Sequence, residues 1–290
     1  MPTFRYALNQ PIPPECRGGV IAVGNFDGVH RGHQTLVAET VRQTRVLGGP
    51  AVVVTFDPHP TQILRPEAFL PLLTTPAYRA ELLHEYGIDH VLILETTPAL
   101  LQLRAGEFFE RIIRDGLKAK AIVEGFNFGF GKNREGTLDL LQTLGEQAGI
   151  AVTLLPAVEI EGKPVSTSRV RGDVLAGAME HVRELLGRPY RLLGTVGVGQ
   201  RRGQTLGFPT ANLNEVENLV PGNGVYAVRV HWRQQSWPGA ANVGPNPTFG
   251  EDARKGEVHV IGFQGDLYGQ GLAVDLFSSI RDIRPFASAV

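Results

Sequence analysis

The sequence has 290 residues, 42% of them hydrophobic, and its 28 basic and 29 acidic side chains leave a formal net charge of -1. At roughly 150 residues per domain, this length suggests two domains, and so balanced a charge excludes a protein that holds nucleic acid by bulk electrostatics. No apolar run reaches the roughly 18 residues of a membrane span, no basic-then-apolar leader opens the chain, and Cys16 is the single cysteine; a soluble, cytoplasmic protein without disulfides is therefore expected.

The first informative stretch follows the apolar run Gly19 to Val23. Gly24 to His33 reads G-N-F-D-G-V-H-R-G-H, and an amphipathic segment with Leu36, Val37 and Val41 comes next. A short strand feeding a glycine-rich turn and then a helix exposes backbone N–H groups and the positive end of a helix dipole, which attract phosphate. Gly24, Gly28 and Gly32 remove side chains where a nucleotide approaches the backbone, with Asn25, Phe26 and Asp27 lining the same turn. His30 and His33 are placed to donate to phosphate oxygens and to stabilise charge on a phosphorus under attack. A zinc site is the competing reading of two histidines, but it lacks a third ligand nearby.

From residue 19 to about 160, short β-branched runs alternate with helical patterns. Candidate strands at Val20 to Val23, Ala51 to Phe56, His90 to Leu94, Ala121 to Glu124 and Ala151 to Leu155 are separated by helical segments such as Ala77 to Tyr86, Ala105 to Asp115 and Thr137 to Ala148. This alternation predicts βαβ units, a Rossmann-like parallel sheet with helices on both faces, with ligands at the carboxyl ends of the strands. Three more segments fall at such ends. T-F-D-P-H-P, Thr55 to Pro60, holds Asp57 and His59 between prolines, as a ligand loop or as a plain turn. E-G-F-N-F-G-F-G, Glu124 to Gly131, sets Asn127 and three phenylalanines among glycines, suited to a stacked planar ring or to the core. V-S-T-S-R-V-R, Val165 to Arg171, offers Ser166, Ser168, Arg169 and Arg171 at a helix start, as polyphosphate donors or as an ordinary cap with solvated arginines.

A further helical pattern, Gly172 to Leu186, ends at Gly187-Arg188-Pro189 and marks a boundary, giving domains of 1–186 and 187–290. Beyond Tyr190, candidate strands at Arg191 to Val196, Gly224 to Trp232, Ala240 to Val243, Glu257 to Phe263 and Leu272 to Phe277 are broken by Gly/Pro turns. Many brief strands with such punctuation predict a closed or nearly closed antiparallel β-barrel.

G-N-F-D-G-V-H-R-G-H, T-F-D-P-H-P, S-T-S-R-V-R, L-G-R-P-Y (Leu186 to Tyr190) and L-G-F-P-T-A-N-L (Leu206 to Leu213) resemble, in order, the bacterial bifunctional riboflavin kinase and FAD synthetase family, along essentially the whole chain. The resemblance implies an N-terminal module that joins FMN to ATP, giving FAD and pyrophosphate, and a C-terminal barrel of the riboflavin kinase type that phosphorylates riboflavin with ATP and Mg2+. It implies that His30 and His33 steady the phosphates, that Arg171 grips the β- and γ-phosphates with Ser166 and Ser168 beside it, and that Gly207, Phe208 and Pro209 shape a kinase nucleotide loop. In the same motif Thr210 and Asn212 would present hard oxygens to Mg2+, and Glu257 would take the proton from the ribityl hydroxyl. The partners implied are the small molecules riboflavin, FMN and ATP, with no nucleic acid and no membrane. Two departures stand out: Gln204 replaces the family's arginine before G-F-P-T, with Arg201 or Arg202 as substitutes, and the sequence stops at Val290 where relatives continue into a helix. An adenylyltransferase with a merely regulatory barrel, or a non-catalytic flavin sensor, would share many of these features.

Overall fold

A computed structural model describes residues 2–197, 210–246 and 251–283. The chain packs as two compact units, Met1–Leu70 with Pro76–Val165, and Pro71–Thr75 with Ser166–Val290.

The first unit is built on six parallel strands: β1 (Thr3–Tyr6), β2 (Val20–Val23), β3 (Ala51–Asp57), β4 (His90–Glu95), β5 (Ala121–Gly125) and β6 (Ala151–Leu155), in the order β1-β4-β3-β2-β5-β6. β2 and the first five residues of β3 are buried throughout, as a sheet covered on both faces requires. Ile21, Val23, Val52, Val54 and Ile122 face one core together with Phe108, Phe109, Ile112 and Leu141, whereas Val20, Ala121 and Val123 face the other, against Leu36. Helices α1 (Arg31–Leu47), α2 (Pro60–Leu64), α3 (Pro76–Glu85), α4 (Pro98–Leu101), α5 (Ala105–Phe108) and α6 (Leu138–Ala148) make the connections, and a two-residue hairpin pair, β7 (Glu159–Ile160) and β8 (Lys163–Pro164), closes the unit. Cys16 is fully buried beneath this sheet, and burial, helped by Glu15, pushes its thiol up to about 12, so it is a packing residue and not a nucleophile.

In the second unit α7 (Thr167–Ala176) and α8 (Met179–Leu186) precede a closed antiparallel barrel. Its strands are β9 (Tyr190–Gly197), β10 (Thr210–Asn214), β11 (Gly224–Trp232), β12 (Gln235–Asn246), β13 (Glu251–Val260) and β14 (Gly271–Arg281), arranged β10-β13-β12-β11-β14-β9 with β9 pairing back onto β10. Alternation decides which residues fill it: Tyr190, Leu192 and Val196, Tyr226, Val228 and Val230, and Leu272, Val274 and Leu276 are buried, while their neighbours face outward. The buried stripe of α8, Met179, Val182, Leu185 and Leu186, packs on β9 and β14.

Several elements differ from expectation. β1 was not foreseen, because four residues of an edge strand with only Tyr6 buried carry too little pattern. The helix expected over Ala105 to Asp115 is α-helical only to Phe108 and continues as a π-turn over Phe109–Arg114, with bonds such as Asp115 N–H to Glu110 O. The helix expected over Gly172 to Leu186 is two helices, because Gly177 adopts a left-handed conformation (φ 76°) that ends α7.

Candidate active sites

Strand order fixes where the first unit receives a ligand. The chain runs outward from β2 to β3 and β4 on one side and from β5 to β6 on the other, so the winding reverses between β2 and β5. Ligands of open α/β sheets sit at such a reversal, beyond the carboxyl ends of the strands. The loop from Gly24 to His30 leaves β2 at this point.

That loop is tightly held. Gly24 N–H donates to Val54 O at 3.0 Å, and the Thr55 hydroxyl to Asn25 O at 3.0 Å. Phe26 (φ 49°), Gly28 (φ 83°) and Val29 (φ 40°) all take left-handed conformations; for a β-branched valine this is costly and persists only because surrounding packing enforces it. Phe26, Asp27 and Val29 are at most 1% exposed. His30 then caps α1, its Nδ1 accepting from His33 N–H at 3.4 Å. A ring that accepts at Nδ1 carries its proton on Nε2, which makes Nε2 a donor. The His30 and His33 rings stack with centroids 3.7 Å apart, and Phe26 lies against His33 at 4.9 Å. A Cβ on Gly32 would stand 3.2 Å from the His30 ring, so this glycine lets the imidazole lie against the helix start.

Two buried ionisable groups that the sequence did not single out support the loop. Arg79 of α3 is 1% exposed and donates from Nη1 to the Thr55 hydroxyl at 3.0 Å. Burial pulls its pKa down, and the Asp27 and Asp57 carboxylates oppose that pull. Glu124, 2% exposed, accepts from Val23 N–H at 2.7 Å, and burial raises its carboxyl well above the usual range.

The other predicted loops are distributed as follows. Asp57 closes β3 and accepts from Arg5 Nη2 at 2.8 Å. His59 caps α2, its Nδ1 accepting from Thr61 N–H at 3.1 Å. Asn127 is exposed, and its backbone oxygen accepts from Arg134 Nη2 at 2.8 Å. The phenylalanines beside it divide: Phe130 is core, Phe128 stacks on it at 5.5 Å, and Phe126 is exposed. Ser166 caps α7 by accepting from Arg169 N–H at 3.3 Å; Ser168 is exposed and Arg171 half-buried. Arg169 Nη2 reaches His181 Nε2 at 3.0 Å, and His181 Nδ1 meets Asp173 at 3.0 Å. These α7 residues belong to the second packing unit.

In the barrel, strand register supplies the geometry. Asn212 of β10 pairs with Glu257 of β13, Glu257 pairs with Asn242 of β12, and Thr210 pairs with His259. Directly opposed residues project from the same face. Ala211, Leu213, Ala241, Val243 and Val258 are buried, whereas Thr210, Asn212, Asn242, Glu257 and His259 are half-buried. The register therefore gathers the three predicted kinase residues on the outer face, with Asn242 and His259, which sequence reasoning missed. Gly207, Phe208 and Pro209, together with Arg201, Arg202 and Gln204, lie outside the described residues. Elsewhere on the barrel, Asp275 of β14 accepts from Arg191 Nε and Nη2 at 2.6 and 2.9 Å and meets His231 at 2.8 Å, beside a groove of about 450 Å³ lined by Arg191, Glu217, His231 and Arg233.

A histidine-capped, glycine-rich turn at a sheet's switch point and a closed barrel with a Thr/Asn/Glu face define a two-unit protein of nucleotide chemistry. Residues 12–169 match the FAD synthetase family and residues 186–290 the riboflavin kinase family. The chain belongs to the bifunctional riboflavin kinase/FMN adenylyltransferase family. The Pseudomonas fluorescens enzyme of that name is 41% identical over 278 residues, covering 96% of this chain and 89% of the relative. The one from Escherichia coli K12 is 34% identical, covering 93% and 87%. A crystal structure described as a macrolide-efflux protein from Streptococcus pneumoniae has the same fold, with a TM-score of 0.87, 33% identity, and coverage of 98% of this chain and 93% of that one. Among the described residues no helix is long and apolar enough to cross a membrane.

Proposed function

We propose that the family's two activities are divided between modules of residues 1–186 and 187–290, in the cytoplasm, FMN being made from riboflavin at the barrel and adenylylated at the parallel sheet. The main support is the stacked His30–His33 pair at the start of α1, directly after the switch-point turn. In adenylyl transfer an FMN phosphate oxygen attacks the α-phosphorus of ATP, and the bond to the β-phosphate oxygen breaks to release pyrophosphate. The charge on the phosphorus grows as this happens, so donors fixed in advance lower the barrier. His30 Nε2 is such a donor, its tautomer set by the bond at Nδ1. His33, packed between His30 and Phe26, adds a second imidazole. Gly24, Asn25, Phe26, Asp27, Gly28 and Gly32 are assigned to the nucleotide with Asp57, His59 and Asn127; Ser166, Ser168, Arg169 and Arg171 are assigned to its polyphosphate by the family motif. No protein nucleophile is required.

At the barrel, Glu257 takes the proton from the ribityl hydroxyl, whose oxygen attacks the γ-phosphorus of ATP with ADP leaving. The Thr210 hydroxyl and Asn212 amide oxygen, on one face two residues apart, are hard donors of the kind Mg2+ accepts. They would hold that ion, which when bound neutralises phosphate charge. Gly207, Phe208 and Pro209 are assigned to the same nucleotide by their motif. Incubating the purified chain with riboflavin, ATP and Mg2+ and separating the flavins by chromatography tests the reading: FMN should appear first and FAD follow. Failure to form either flavin would refute it, and FAD formed only from added FMN would remove the kinase half.

A further inference from the structure

Pairing of β2 with β3 ends at Val23 opposite Val54, and the turn that carries His30 begins with the next residue. Two bonds continue the attachment: Gly24 N–H donates to Val54 O at 3.0 Å, and then a side chain takes over, the Thr55 hydroxyl donating to Asn25 O at 3.0 Å. Val52 and Val54 enter the core of Phe108 and Ile112, so Thr55 faces the opposite side of the sheet, where it is 1% exposed. A buried hydroxyl is costly unless bonded, and this one is bonded twice, since Arg79 Nη1 donates to it at 3.0 Å. A guanidinium has donors only, so the hydroxyl accepts from it, and its single proton is left for Asn25 O. The direction of the tether is therefore set by a side chain that is itself buried. Beyond Asn25 come the left-handed Phe26, Gly28 and Val29, a strained run that keeps its shape only while its surroundings hold it. We propose that Thr55 and Arg79 are positioning residues for adenylyl transfer: the guanidinium orients the Thr55 hydroxyl, the hydroxyl holds the Asn25 carbonyl, and the turn keeps His30 in its reactive place before substrates bind. This rests on the assignment of the turn to the nucleotide and of His30 to the phosphorus under attack.

The test uses the full chain, measuring kcat and KM of FAD formation from FMN, ATP and Mg2+ for Thr55→Val, Thr55→Ser and His30→Ala, with FMN formation from riboflavin as the control in each. Thr55→Val keeps the shape and loses the hydroxyl; kcat/KM for FAD formation should fall about tenfold, the equivalent of roughly one hydrogen bond, while FMN formation stays within about twofold. Thr55→Ser keeps the hydroxyl and loses a buried methyl, so it should stay within about threefold of the parent. A threonine that only packs gives the opposite order, valine outperforming serine, and that order overturns the proposal, as does an unchanged kcat/KM in Thr55→Val or an equal loss of FMN formation. Arg79→Lys keeps the charge but not the planar fork, and it should lower kcat/KM less in a Thr55→Val background than in the parent, because both residues act through one hydroxyl. Fully additive losses would overturn the part given to Arg79. If Thr55→Val does not fold, Thr55→Cys, similar in size with only a weak S–H donor, decides in its place, since parental kcat/KM in it refutes the role. Parental FAD formation in His30→Ala would instead overturn the reading of the turn itself, whatever the Thr55 variants do.

Discussion

Glu124 sits where the main-chain pairing of β2 with β5 runs out. Only Val20 with Ala121 and Ile21 with Ile122 are in register, and the carboxyl of Glu124 takes over by accepting from Val23 N–H. Because burial raises its folded-state pKa above 4.5, the folded chain keeps a proton that the unfolded chain releases as pH rises past that value. Stability on this account is greatest below pH 4.5 and is lost with rising pH until the folded carboxyl ionises, at up to about 1.4 kcal/mol per pH unit. Glu124→Gln keeps the acceptor and has no proton to lose, so urea midpoints should fall less between pH 5 and 7 in the variant than in the parent; equal slopes would mean that Glu124 is ionised in the fold. Arg79 poses the reverse case, a buried cation near Asp27 and Asp57. Arg79→Met fills much of the same space but leaves those carboxylates without their buried counter-charge, so unfolding in urea should show a loss of about 3–5 kcal/mol.

At the scale of elements, the break between α7 and α8 depends on one glycine. Gly177 is left-handed, and a Cβ there would meet the Tyr226 hydroxyl at 2.6 Å, a hydroxyl that donates to Gly222 O at 2.6 Å. Gly177→Ala should cost about 1–2 kcal/mol from the backbone alone and more from the clash. In a Tyr226→Phe background only the backbone part should remain, so a double-mutant cycle on denaturant midpoints should show coupling. The sequence pattern of this stretch was a single helix because Val182, Leu185 and Leu186 continue an apolar period that says nothing of a left-handed residue upstream. The buried sheet strands were legible for the converse reason: β2 to β5 are dense β-branched or aliphatic runs bounded by polar or glycine punctuation. Parts of the proposed sites drew attention on the same terms. His30 and His33 stand in a glycine turn that declares itself, and Thr210, Asn212 and Glu257 were reached through motif resemblance. Arg79 and Glu124 were not, since a charged residue in an amphipathic stretch reads as a solvent position until its buried partners are seen. Asn242 lay inside the strand expected over Ala240 to Val243, but only the strand register sets it opposite Glu257, and Pro238 and Gly239 shortened that expected strand.

Across the whole molecule, the proposed division of labour between residues 1–186 and 187–290 predicts that damage to one module is repaired by supplying the right flavin. On the proposed assignment His30→Ala should remove one preorganised donor from the phosphorus under attack, a loss of about 10²–10³ in rate for donors of this type, while riboflavin phosphorylation at the barrel should continue. Fed riboflavin, ATP and Mg2+, this variant should accumulate FMN. Asn212→Ala should make little of either product from riboflavin, yet form FAD at the parental rate when FMN is added, because the residue lies on a barrel strand opposite Glu257, in the unit that does not hold the parallel sheet. Mixing the two variants should then restore FAD formation from riboflavin, since FMN released by the first chain is substrate for the second. The recovered rate should rise with protein concentration as free FMN accumulates. A mixture no better than either variant alone, with both chains folded, would show that the two chemistries cannot be separated by residue, and the assignment of one to residues 1–186 and the other to residues 187–290 would fall.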